Sequence, residues 1–440
     1  MPKILLLNAL ILLSLNSISQ TYWKVANEYG DEILLTIDLN REKNSFEAYT
    51  RKDALKDLAG IFTFSLAKAA GKLKYAEIVF IEGKTQSRND TLFLNGNFNY
   101  FDKQFLFSAS VSGSRFEGKY LDNKNRPHSL SGIKVSDRKP IKDYISIINS
   151  AFTITERTLF NPAWLNSDDW KEFRKRVNEL KMNISDDYEL AATFFWLGKK
   201  LPFSPYEITK TRTDSRSPGR RNRPGVRELN PTTAFFDAGS IPIRQQDMDS
   251  IASIISGKGF KKLIVDLRGN NRLSPVAANI LINYLSEKPF HAGVYLTRRW
   301  GDSNKAIPQA MDYQKLFRGF TDKDFRPDGL HKDQGRYLNI VPGEKPFKGK
   351  VYILADAKTS KVAEILSYTL KKEKIATIIG QKTAGFSFLS ENLVINNDFE
   401  LILPDADFFT SEGKTLNKIG VEPDITKSGD EAISFVLKLM

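Results

Sequence analysis

From Thr232 onward, short apolar runs rich in β-formers alternate with stretches whose apolar residues recur at helical spacing. That alternation limits the fold more than any other feature of the chain. The runs TTAFFDAGSI, LIVDLRGN and HAGVYLT are separated by the helical patterns MDSIASIISGKG and VAANILINYLSE, and an irregular stretch covers 300–345. Strands alternating with helices predict a largely parallel sheet with both faces covered. The pattern resumes in VYILADAKTSKVAE: 351–354 reads as a buried strand and 355–358 as a turn. Val362, Ile365, Leu366 and Leu370 then form the stripe of a helix that stops at KKEK.

The turn in that last segment carries the chemistry. A side chain at the first turn of a helix sits beside unpaired backbone N–H groups and the positive end of the dipole, so an anion is welcome there. Lys361 stands at this position, where its charge opposes the dipole by roughly 0.3–1 kcal/mol. Taken alone, the segment also fits an exposed first-turn lysine with Thr359 or Ser360 as an ordinary N-cap.

Four ordered blocks give the turn its context: KKLIVDLRGN at 261–270, DAKTSKVAE, GQKTAG at 380–385 and IGVEPDI at 419–425. Together they resemble the tail-specific (carboxyl-terminal processing) serine peptidases and their tricorn-like branch, over roughly 145–426. The resemblance implies a core of the crotonase and Clp protease spiral type. It also implies a T-x-S-x-x-E motif whose serine is the nucleophile; here Thr359 and Glu364 frame it and Lys361 takes the serine's place. The base lysine of one branch, in T-x-G-K-G, corresponds to Phe386 after Thr383 and Gly385. The other branch's histidine, in an S-H pair, corresponds to Pro205 after Ser204, and its orienting glutamate to Asn417. The glycine run that helps form the oxyanion hole is Asn271, Arg272 and Leu273. Acyl transfer needs a nucleophile, a base within reach and donors for the oxyanion, and none is at its family position. Ser360 with Lys382 as base is the remaining alternative; Ser387 and Ser390 read as polar positions of a strand edge.

The three histidines, His128, His291 and His331, show no spacing to a serine and an acid, and there is no cysteine. No metal or other cofactor is expected. Residues 1–19 read as a secretory signal, with Lys3, an apolar core over 4–15 and small residues Ser17 and Ser19 before a cut preceding Gln20. The apolar run is too short to span a bilayer, so an exported, periplasmic or secreted protein is expected. Residues 20–140 alternate in short runs, EILLTIDL, FEAYT, IFTFSLA, AEIVFIE, TLFLNGNFNYF, QFLFSASVSG and FEGKYL, which predict an all-β module: an antiparallel sheet, barrel or small sandwich. Residues 141–201 predict a small helical bundle with Trp164, Trp170, Phe173, Phe194, Phe195 and Trp196 as its core.

Residues 202–231 form a basic linker loop with Lys210, Arg212, Arg216, Arg220, Arg221, Arg223 and Arg227, too short for the PDZ module of some relatives. The loop supplies much of the formal charge of +13, which favours acidic partners. Nucleic acid is not indicated, since no aromatic residues interleave with the basic run. The α/β core then spans 232–440. The sequence as a whole reads as an exported peptidase homologue whose cleft, with Arg272, Lys361, Thr383 and Gly385, binds polypeptide or an acidic partner without catalysis. Lys361 would hold a carboxylate or chain end. Two alternatives stand beside it: a serine endopeptidase using Ser360 and Lys382, and a structural envelope protein acting through the β module. Ligand identity and oligomeric state are not fixed by the sequence.

Overall fold

A computed structural model describes residues 19–203, 205–211, 225–238, 245–303, 312, 316, 332–429 and 431–439. The expected signal over 1–18, Ser204, His331 and the arginines from Arg212 to Arg223 lie outside the described residues. The chain forms two compact units interleaved in sequence. One takes in the described residues of 1–154, 166–213 and 392–402, and the other those of 155–165, 214–391 and 403–440.

The first unit holds a closed antiparallel barrel in which each strand pairs with the next and the last returns to the first. Its strands are β1 (Ser19–Asn27), β2 (Glu32–Asn40), β3 (Ser45–Tyr49), β4 (Val79–Arg88), β5 (Thr91–Tyr100), β6 (Lys103–Ser112), β7 (Arg115–Leu121) and β8 (Pro127–Val135). Alternation drives closure: Trp23, Val25, Leu35, Ile37, Phe46, Ala48, Ile81, Leu94, Phe98, Phe107, Phe116 and Leu130 share one buried cluster. Closing the sheet removes the exposed edges that an open meander would leave. At the β4–β5 hairpin, Asn89 and Asp90 both adopt positive φ, as a two-residue turn with the twist of its strands requires.

Three readings of this region needed correction. IFTFSLA is not a strand but lies in a helix, Ile61–Ala69, which follows a short one, Ala54–Ala59; we label these α2 and α1. Phe64 and Ala67, one helical turn apart, pack on the barrel cluster while Leu66 is exposed, so the helical period wins over the apparent alternation. Strands β1 and β8, which close the barrel, were absent from the expected runs; β8 buries only Leu130 among its apolar side chains and so has a weak pattern.

Helices α3 (Tyr144–Thr158), α4 (Asp168–Leu180) and α5 (Asp187–Gly198) follow, with a 3-10 turn at Pro162–Asn166. Trp170, Phe173 and Phe194 are buried among Phe152, Phe203 and Tyr206, as expected. Phe195, expected in that core, is instead exposed beneath Lys199, and Trp164 belongs to the second unit, where it packs against Phe160 and Phe388. The first turn of α5 is tied to β2: Asp186 accepts from Leu34 N (3.2 Å) and Asp187 from Glu32 N (2.9 Å).

In the second unit a six-stranded sheet runs β10 (Gly225–Asn230), β11 (Thr233–Asp237), β12 (Lys262–Asp266), β15 (Lys350–Ala355), β16 (Ala376–Gly380), β19 (Ile425–Thr426). All neighbours are parallel except β10 and β11. One face, with Phe236, Leu263, Val265, Val351, Ile353 and Ile378, packs on α6 (Gln245–Gly257), α7 (Pro275–Leu285) and α9 (Val362–Lys372). The opposite face, with Phe235, Ile264, Tyr352, Leu354 and Ile379, is covered by α10 (Glu431–Lys438). The covered, largely parallel sheet predicted from the sequence is therefore present.

A second, antiparallel sheet sets β13 (Phe290–Thr297) between β14 (Gly335–Ile340) and β18 (Phe399–Thr410), with β17 (Leu389–Val394) next to β18. The short helix Arg298–Ser303, α8, follows β13. A strand at Glu207–Lys210, β9, pairs with residues 399–402 of β18 within the first unit. Among the described residues no helix is long and apolar enough to cross a membrane.

Candidate active site

The strand β15 lies between β12 and β16, and the chain leaves its carboxyl end through Asp356–Lys361 into α9. This turn is held from inside. Asp356 Oδ1 accepts from the amides of Gly269 (2.9 Å), Lys358 (3.0 Å) and Thr359 (2.9 Å). Partial burial pushes the Asp356 carboxyl up, but those bonds outweigh it and hold its pKa below the ordinary value. Buried Thr359 donates its hydroxyl to Leu267 O (3.0 Å), and Ser360 N donates to Asn270 O (3.0 Å). The DLRGN loop and the turn thus form one hydrogen-bonded body.

Lys361 ends the turn with φ 57° and ψ −130°, a conformation that bulky L-residues avoid. A sharp strand-to-helix turn in strained backbone is how α/β hydrolases lift a nucleophile above their sheet. In this chain the residue at such an elbow is a lysine. Lys361 Nζ donates to Ser390 Oγ on β17 (3.1 Å) and lies 5.7 Å from the centroid of the Phe386 ring.

The facing loop is organised by Glu364, fully buried in the first turn of α9. Its carboxylate accepts from Gly385 N (2.7 Å), Phe386 N (2.7 Å) and the Thr383 hydroxyl. Burial pushes the Glu364 carboxyl up, and these donors offset that only in part, so its pKa stays above the ordinary value. The loop then joins the IGVEPDI block: Thr383 N donates to Val421 O (3.1 Å), Lys418 N to Gly385 O (2.7 Å) and Val421 N to Thr383 Oγ1 (2.7 Å). Two glycines are required here. Gly385 (φ 70°) and Gly420 (φ 72°) face each other so closely that a Cβ on Gly420 would come within 2.8 Å of Thr383 O.

Three of the amides that could support an oxyanion are taken. Lys361 N donates to Phe386 O (2.5 Å). Arg272 N and Leu273 N both donate to Asn270 Oδ1 (3.0 Å each), and the fully buried Asn270 also donates to Ala238 O (2.5 Å). The amides of Val362 and Ala363, at the start of α9, have no acceptor among the described residues.

The other candidates are dispersed. Ser360 is buried, with no hydrogen bond from its hydroxyl among the described residues, and Lys382 is half exposed and paired with Glu422 (2.7 Å). Those two are not brought together by any hydrogen bond. Phe386 and Pro205 offer no proton acceptor, and Pro205 belongs to the first unit. Asn417 is nearly buried, its amide donating to Thr415 Oγ1 (3.1 Å). On the barrel, His128 bonds Glu28 (2.9 Å) and stacks on Tyr120. His291 stacks on Tyr337, and burial lowers its pKa. Asp266 and Arg268 make a two-pronged ion pair (2.8 and 2.6 Å) that also reaches Gly429 O. Among the described residues no group of His, Asp and Glu could hold a metal ion.

Two contributors were not anticipated from the sequence. Ser390 had been read as a strand-edge residue, and the bond to Lys361 depends on a pairing of distant segments that no local pattern signals. Asn270 follows a glycine in DLRGN, a position whose carboxamide readily caps following amides, and that signal was available.

Residues 235–427 match the family model for peptidase family S41. Similar solved structures include a lipoprotein from Streptococcus agalactiae (14% identity, 69% of this chain and 97% of that one, TM-score 0.45). The photosystem II D1 C-terminal processing protease (13%, 68% and 98%, 0.38) and the tricorn protease (10%, 90% and 45%, 0.43) are others. No curated protein matches the chain. The matched region runs from β11 to β19 and contains the strand-to-helix turn and all four motif blocks.

Proposed function

We propose that this chain is an exported S41 relative that binds extended polypeptide in the family's cleft and does not hydrolyse it by the family's route. The observation that carries the reading is Lys361 in the elbow conformation: the scaffold that presents a nucleophile is kept, while the atom presented is an ammonium nitrogen. The occupied amides of Lys361, Arg272 and Leu273 support it, since a tetrahedral intermediate would find those donors already engaged. An ammonium group beside the open amides of Val362 and Ala363 favours a carboxylate, so an acidic segment or a chain end is the preferred ligand part. In this reading the α/β core winds as the crotonase-type spiral, and the leader is removed near Ser19.

The test is binding of a labelled, unstructured acidic polypeptide to the mature protein and to Lys361→Glu. Reversing the charge should weaken binding at least about tenfold, or about 1.4 kcal/mol. Equal affinity of the two proteins would remove Lys361 from the site and with it the proposal.

A further inference from the structure

Lys361 and Ser390 reproduce the chemistry of a serine–lysine pair with the partners exchanged. In such a pair an amine within hydrogen-bond reach of a hydroxyl takes its proton as the oxygen attacks a carbonyl. Here the amine rises from the elbow and the hydroxyl stands on β17, 3.1 Å away, both side chains half-buried. The Phe386 ring, 5.7 Å from Nζ, shields the amine on one side. Among the described residues the elbow lysine donates to the Ser390 hydroxyl, while Lys382 is paired with Glu422.

We propose that Ser390 is an acyl acceptor activated by Lys361, reactive toward activated esters and lactones. Once Lys361 has released its ammonium proton to solvent, its amine removes the Ser390 proton as the Ser390 oxygen bonds to the acyl carbon. The bond from that carbon to the leaving oxygen then breaks, and the proton passes from Lys361 to the departing alkoxide or phenoxide. The product is an ester on Ser390, with no change in oxidation state. Peptide bonds are excluded because an amine is a poor leaving group and the amides of Lys361, Arg272 and Leu273 are engaged. The inference extends the cleft reading to covalent capture of acyl groups without peptide hydrolysis.

The experiment uses the mature chain with p-nitrophenyl acetate. A burst of one equivalent of p-nitrophenolate is expected, with a single acetyl group mapped by mass spectrometry to Ser390 and released by hydroxylamine, as an ester is and a lysine amide is not. Ser390→Ala and Lys361→Met should each reduce the burst at least about tenfold. An acetyl group on Lys361 itself, labelling confined to other residues, or an undiminished burst in Ser390→Ala would overturn the proposal. Mapping on the unaltered protein decides the matter even where a variant fails to fold. Polypeptide binding by the unaltered protein, measured in parallel, reads the earlier proposal independently: either result can fail while the other stands.

Discussion

Replacing Lys361 with glycine and, separately, with alanine isolates the backbone of the elbow. Both variants remove the bond to Ser390 and the contact with Phe386, so these losses cancel in the comparison. What differs is φ 57° with ψ −130°, which alanine must still adopt under strain and glycine adopts freely. A bulky residue held in such a region stores about 1–3 kcal/mol. Glycine gives back roughly 0.5–1 kcal/mol through its freer unfolded chain. The glycine variant should therefore be more stable than the alanine variant by up to about 2.5 kcal/mol. Urea unfolding at equal m-values measures this directly. If Lys361 were an ordinary first-turn residue behind a Ser360 cap, alanine would instead win by about 0.5–1 kcal/mol. An alanine variant more stable than the glycine one would refute the elbow.

Other expectations concern the supports of the site. Glu364→Gln replaces one acceptor of the Thr383–Phe386 loop with a donor facing a donor, and should lower stability by about 2–3 kcal/mol in the same urea assay. Asp407, fully buried on β18, has its pKa raised by burial from 3.8 to about 7, with bonds from Phe408 N and Thr415 opposing that only in part. Because the folded state holds this proton more tightly than the unfolded chain, stability from this group is full below about pH 4 and lost as pH rises toward about 7. Asp407→Asn should flatten that decline, gaining at most about 4 kcal/mol at pH 8 relative to the unaltered protein, read from melting or urea curves at each pH. Lys361→Ser alone should not create cleavage of casein, because Phe386 supplies no base and the amides of residues 361, 272 and 273 stay engaged; fragments in that assay would contradict the account of the oxyanion region.

Local pattern reached some of this structure and not the rest. The covered parallel sheet and the strand-to-helix turn were legible because each rests on periodicity within one segment and on motif residues such as Thr359 and Glu364. The helix at 61–69 was misread because Phe62, Phe64 and Leu66 alternate like a strand, while the residues that decide the matter are distant barrel side chains such as Phe46 and Ile81, which share a cluster with Phe64. Closure of the barrel by β1 on β8 is a pairing across more than a hundred residues, carried by main-chain bonds that leave little trace in side-chain pattern. In the site, the lysine at the strand-to-helix turn could be read from position alone. The filling of the amides by Asn270 Oδ1 and Phe386 O could not, because it depends on how three loops meet.

The central claim is that a polypeptide enters the cleft and leaves it whole. Anisotropy of a labelled unstructured polypeptide titrated with the mature protein, followed by mass analysis of the same samples after prolonged incubation, tests binding and integrity together. The account predicts saturable binding with the full-length mass unchanged. Fragments that accumulate with the unaltered protein and vanish with Ser360→Ala would contradict it.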